Sequence, residues 1–138
     1  TLEVRAYSTA RQSFSLGVVT TVQYDSESTD VGGGYNTTTD TWTCPEEGYY
    51  FILHVHEWET VGTAGTFRSY FFKNDGFYGA STYDHPLINN EFTTHGNATF
   101  YLEVDDTVTV RAFANCVATQ WITSGSELFI FKLEEVIR

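Results

Sequence analysis

The sequence predicts an all-β sandwich, and three observations carry that expectation. The chain of 138 residues has no Met and is rich in Thr, Tyr, Phe and Val, side chains that suit a pleated, half-buried surface. Turn residues recur about every ten positions. Between the turns, apolar and polar residues alternate with a period of two, so helix has little support. At this length the chain reads as one domain over residues 1–138, able to bury roughly 70% of its unfolded surface.

The elements follow in order. Phe14 to Val22 is expected as the first strand, and Gly32-Gly33-Gly34 precedes a short strand from Thr41 to Cys44. Pro45-Glu46-Glu47-Gly48 supplies a turn. Strands are then expected from Tyr49 to Trp58, from Phe67 to Lys73 and from Phe77 to Tyr83, the first two divided by Gly62-Thr63-Ala64-Gly65. Phe100, Leu102 and Val104 alternate with Thr99, Tyr101 and Glu103, and Asp105-Asp106 turns the chain into Val108 and Val110. Asn115 onward and Glu127 to Glu135 provide the last two. No repeat, linker or low-complexity run interrupts the series.

Aromatics, one acid and one glycine fall at fixed intervals through the middle of the first half: Tyr24-x5-Asp30-x4-Tyr35-x6-Trp42-x5-Gly48, then Tyr50, Ile52 and His54. This ladder resembles the signature of the complement C1q globular-head domain, which reads Phe, Asn or Asp, aromatic, Phe, Gly, Tyr, Phe, then Phe or Tyr at the same spacing. Tyr24, Trp42, Ile52 and His54 depart from it; the first three keep a large apolar body, whereas His54 adds a titratable ring. Phe71-Phe72-Lys73-Asn74-Asp75-Gly76 is similar to the family's apolar-Lys-Asn-Gly turn, and Leu102 to Val108 is similar to its strand, acidic turn and strand. The resemblance covers most of the chain from Phe14 to Leu133. It implies a ten-stranded, two-sheet jelly roll of the C1q and tumour necrosis factor kind, like the stand-alone C1q-like domains of invertebrates.

Two strands carry apolar residues at both parities. If Phe129, Phe131 and Leu133 line the core, Leu128 and Ile130 point outward, and Tyr70 and Phe72 oppose Phe71 in their own strand. Either curvature buries both faces or a second apolar surface meets them. The resemblance favours the second, because C1q-like domains associate as trimers, so Tyr70, Phe72, Leu128 and Ile130 are expected at a homotrimer interface.

Secretion is expected from several concordant signals. The chain starts at Thr1 without a charged-then-apolar leader and has no membrane-length apolar run, so any targeting peptide is expected to have been removed or left out, and no membrane insertion is expected. Asn36-Thr37-Thr38 and Asn97-Ala98-Thr99 are glycosylation sequons at expected turn or strand ends. Cys44 and Cys116 permit a bridge, although sequence does not show whether they come close enough.

A formal net charge of −11 with seven scattered basic residues excludes nucleic acid as an expected partner. The acidic runs read first as solvated loops. At Thr82-Tyr83-Asp84 the resemblance implies a structural calcium site, since trimeric relatives place a Tyr-Asp here with a second acid shortly after. Asp84 fits, and Glu91 stands near the second position in a loop one residue longer. Two carboxylates with carbonyls and water can satisfy calcium; no other cofactor is expected.

Catalysis is not expected. His54 and His56 share a strand face, the spacing by which a strand offers two imidazoles to zinc, but spacing fixes no third ligand. A nucleophile elbow, a phosphate-cradling loop and a Cys with a motif-linked His are all missing from the sequence. Binding is the remaining class, and the resemblance implies a secreted, trimeric, lectin-like innate-immune protein that recognises glycans or glycoproteins. Trp58, Tyr78, Tyr83, His85 and Trp121 are the aromatic candidates for a sugar platform. Arg68 or Arg111 can fork onto a carboxylate such as that of sialic acid. The competing expectation is a protein ligand of the tumour necrosis factor or synaptic-organiser kind that binds a cell-surface receptor.

Overall fold

The computed structural model describes residues 2–61, 65–85, 90–115 and 119–133. Thirteen strand segments stand among them, against the ten expected: β1 (Glu3–Tyr7), β2 (Gln12–Phe14), β3 (Thr20–Thr21), β4 (Ser26–Val31), β5 (Tyr35–Asn36), β6 (Thr41–Thr43), β7 (Gly48–Val61), β8 (Gly65–Lys73), β9 (Gly76–His85), β10 (Asn90–Leu102), β11 (Thr107–Asn115), β12 (Gln120–Ile122) and β13 (Glu127–Lys132). They form two antiparallel sheets. The seven-stranded sheet runs β2-β12-β7-β13-β1-β4 with β10 on the other side of β7, and the six-stranded sheet runs β5-β6-β11-β8-β9 with β3 beside β11.

The long strand β7 shows why the sandwich forms. Tyr50, Ile52, His54, His56 and Trp58 are each 0% exposed, while Phe51, Leu53 and Val55 between them are half-buried on the other face. One parity therefore lines the core, as the pleat requires. From the facing sheet Phe67, Phe71, Val108, Val110, Ala112 and Ala114 close over it. Packing is aromatic throughout: Trp42 meets Tyr50 edge-on at 4.9 Å, and Trp58 meets Phe67 at 4.7 Å.

Turn chemistry fixes the registers. Asn74 and Asp75 both have positive φ (51° and 62°), the mirror-image turn whose twist suits a two-residue hairpin, and Lys73 pairs with Gly76 across it. Asn74 then ties this hairpin to the next acidic turn. Its Nδ2–H donates to Asp106 Oδ1 at 2.9 Å, and its Oδ1 accepts the Thr107 N–H at 2.9 Å.

The expected strand from Phe14 to Val22 is two strands. The chain leaves the seven-stranded sheet after β2, turns at Gly17 (φ 71°) and enters the six-stranded sheet as β3. A crossing between layers cannot be one strand, so Val18 and Val19 are exposed instead of alternating. The expected division at residues 62–64 lies outside the described residues.

The parity read for the last strand is reversed. Leu128 and Ile130 are 4% and 1% exposed in the core, whereas Phe129 and Phe131 face outward half-buried and Leu133 is exposed. The cause is register: Leu128 lies opposite His54 and Ile130 opposite Ile52, so both take the face that β7 buries. Both parities of β13 are apolar, and the partner strand decides between them.

Candidate interaction surfaces

The signature ladder is structural. Tyr24, Tyr35, Trp42, Tyr50, Ile52 and His54 are all buried. Asp30 closes the glycine-rich loop by accepting the Gly34 and Tyr35 amides on its two carboxylate oxygens, each at 3.2 Å. The Tyr35 hydroxyl donates to the Tyr24 carbonyl at 3.1 Å. Gly34 is there because a Cβ would lie 2.4 Å from the Thr43 carbonyl oxygen, too close for any side chain. The loop walls an open cleft of about 560 Å³ with Thr43, Pro45, Val104 and Asp105.

His54 and His56 share the buried face with rings stacked at 4.5 Å and 20°. Stacked rings do not aim their lone pairs at one point. His56 is already engaged, Nε2 with the Tyr24 hydroxyl at 2.5 Å and Nδ1 with Ser69 Oγ at 3.3 Å. Neither ring nitrogen of His54 has a hydrogen-bond partner among the described residues. Burial first, and then a neighbouring imidazole, lowers the pKa of both, to about 4 for His54. Among the described residues no group of three His, Cys, Asp or Glu can hold a metal.

Of the residues read as a glycan site, Trp58 is withdrawn from the surface. Trp58 is 0% exposed, wedged among Phe14, Phe67 and Phe92, with its indole N–H donating to Thr94 Oγ1 at 2.9 Å. It is a core residue and no sugar platform. Its parity within β7, shared with Tyr50 and Ile52, was the signal for that. Arg68 is exposed on β8, and Tyr78 is exposed on β9 with its ring 4.6 Å from Phe100. Trp121 is half-buried under Arg11, whose Cζ lies 3.9 Å from the ring centroid. Tyr83, Asp84 and His85 lie in β9 and Glu91 in β10, but their side chains, and with them the expected calcium site, lie outside the described residues.

The four residues read as one trimer interface also separate. Leu128 and Ile130 belong to the chain's own core, while Tyr70 and Phe72 are half-buried on the outer face of the six-stranded sheet. The outer face of the seven-stranded sheet instead carries a continuous apolar patch. Phe51 lies opposite Phe131 and Leu53 opposite Phe129, with Val55 beyond. The rings of Phe129 and Phe131 stack at 6.3 Å, and exposed Tyr49 and Tyr101 border them.

Asn36 is exposed at the end of β5, its Oδ1 accepting the Thr38 and Thr39 amides. Asn97 is exposed as well, but it sits in the middle of β10 directly opposite Leu53, not at a strand end. Cys44 is a buried free thiol donating to the Glu46 carbonyl at 3.2 Å, and Cys116 lies outside the described residues.

A two-sheet antiparallel jelly roll with this strand order is the architecture of the C1q and tumour necrosis factor proteins. The globular domain of zebrafish complement 1qA protein superposes with a TM-score of 0.69 over 99% of this chain and 100% of that one at 11% identity. Eiger TNF from S. frugiperda gives 0.72 over 99% and 95% at 10% identity. Murine APRIL gives 0.70 over 96% and 98% at 17% identity. The sequence profile of the C1q domain matches residues 6–130, and the chain belongs to that family. No curated protein matches it significantly by sequence. Members of this fold family are typically trimers and generally non-enzymatic, and they include innate-immune recognition proteins and signalling ligands.

Proposed function

We propose that the chain is a secreted, homotrimeric recognition domain that binds glycans in innate immunity. The observation that carries this reading is a division of labour between the two outer sheet faces. Phe51, Leu53, Val55, Phe129 and Phe131 make an apolar patch on one, with charge only at its border, where Arg5, paired with Glu3, lies over Phe129 and Glu127 stands opposite Val55; such a patch is the kind of surface that closed cyclic assembly covers. The other carries arginine and exposed aromatic rings, the groups that sugar recognition uses. Packing through the first leaves the second facing solvent three times over, and three copies of a weak site bind a repetitive surface with avidity.

A glycan array probed with the intact protein tests the reading. Saturable binding that free sugar competes away supports it. A blank array together with capture of one cell-surface protein supports a signalling ligand instead, the reading to which the fold likeness to Eiger and APRIL also lends itself.

A further inference from the structure

The outer face of the six-stranded sheet arranges arginines and aromatic rings alternately. Along β8, Arg68, Tyr70 and Phe72 point outward between buried Phe67, Ser69 and Phe71; along β11, Arg111 and Phe113 do so between buried Val110, Ala112 and Ala114. The register sets Phe113 opposite Arg68 and Arg111 opposite Tyr70. Each guanidinium-bearing position thus has a ring across from it, and the two arginines are diagonal neighbours, about 7–8 Å apart at the backbone. Phe77, 63% exposed, extends the square, its ring 5.9 Å from Tyr70 and 6.3 Å from Phe72.

We infer that this face is the ligand site and that its ligand is an acidic oligosaccharide bearing carboxylates on neighbouring sugars. The inference rests on the glycan reading above and gives it a place and a ligand class. Arg68 is exposed and has no ion pair among the described residues. Arg111 lies over Phe72, Cζ 3.9 Å from the ring centroid, with its Nη2 2.8 Å from Asp75 Oδ1. Asp75 is 86% exposed, so this pair is screened by water and easily exchanged. A ligand carboxylate can take the place that Asp75 holds, and a second can meet Arg68.

The chemistry narrows the ligand. Amides and carbonyls of β8 and β11 are committed to their mutual ladder, so an extended peptide cannot add as a strand on this face and recognition must run through side chains. Rings offer the apolar faces of pyranoses a platform, and planar guanidinium forks suit carboxylates. Only a local pair of arginines can hold an anion on a protein of net charge −11.

The test is titration calorimetry of the intact protein with oligoguluronate, malto-oligosaccharide of equal length and polyglutamate. Saturable binding of oligoguluronate over both others is expected. Arg68→Gln combined with Arg111→Gln should weaken it at least tenfold, and Arg68→Lys with Arg111→Lys should fall between, at unchanged melting temperature and sedimentation. Asp75→Asn should tighten it, because the competing carboxylate is gone. Binding of neutral glycans alone overturns the inference and leaves the glycan reading standing; binding of no glycan overturns both. Equal affinity for polyglutamate, or arginine variants that bind like wild type, overturns the inference as well.

Discussion

His54 and His56 stack face to face in the core at 4.5 Å, and among the described residues no carboxylate acts on either to balance a proton's charge. Phe71 packs on His54 at 5.3 Å, His95 reaches it electrostatically, and the ring nitrogens of His56 meet the Tyr24 and Ser69 hydroxyls. An imidazolium here is buried and unpaired, which is costly. The folded pKa of His54, about 4, lies below the unfolded value of about 6.5. The unfolded state therefore takes up protons first, and the stability this group contributes is complete above pH ~6.5 and lost as pH falls toward 4. Asp40 opposes the trend: burial lifts its carboxyl to about 6, so its contribution grows as pH falls through that value.

His54→Phe isolates the effect. It removes two unpartnered buried nitrogens, so unfolding free energy at pH 7 should rise by about 1–3 kcal/mol. Between pH 7 and pH 5 the advantage should widen by a further ~2 kcal/mol. Denaturant melts at fixed protein concentration measure both, and parallel pH profiles for variant and wild type would contradict the assignment.

Asn74 joins two turns that are distant in sequence, through Asp106 and Thr107. Asn74→Ala loses both hydrogen bonds and places a Cβ-bearing residue at φ 51°, where alanine is strained. A loss of about 1–3 kcal/mol is expected. Asn74→Gly should cost less, because glycine accepts the dihedral while forfeiting the same bonds. Equal melting behaviour of the two variants would mean that the backbone is indifferent here.

Asn97 faces the same side as Leu53 across β10 and β7, within about 5 Å at the backbone. A glycan there collides with any subunit packed on the apolar patch, whereas Asn36 projects from the other sheet. In protein expressed through a secretory pathway, mass spectrometry should find Asn36 modified and Asn97 bare. Full occupancy of Asn97 in an intact oligomer would place the subunit contact elsewhere.

What the sequence made legible was local and periodic. The ladder from Tyr24 to His54 named the core because its members other than Asp30 and Gly48 are buried for their bulk, and β7 was readable since one parity holds Tyr50, Ile52, His54, His56 and Trp58. Polar β4 was invisible, because Ser26 to Val31 forms an edge that among the described strands pairs only with β1 and buries no side chain fully. The parity of β13 was ambiguous, both faces being apolar, and fell to its register with β7. The square of Arg68, Tyr70, Arg111 and Phe113 exists only through the pairing of β8 with β11, a long-range register that no spacing announces.

Sedimentation of the wild-type chain at micromolar concentration, beside Leu53→Glu and Phe129→Glu, decides whether the apolar sheet face joins subunits. Each substitution places a charge at the middle of the patch, where Leu53 and Phe129 oppose one another and burial without a partner is costly. Wild type should run at three times 15.6 kDa and both variants as folded monomers. A monomeric wild type, or trimers that survive both substitutions, would contradict the account.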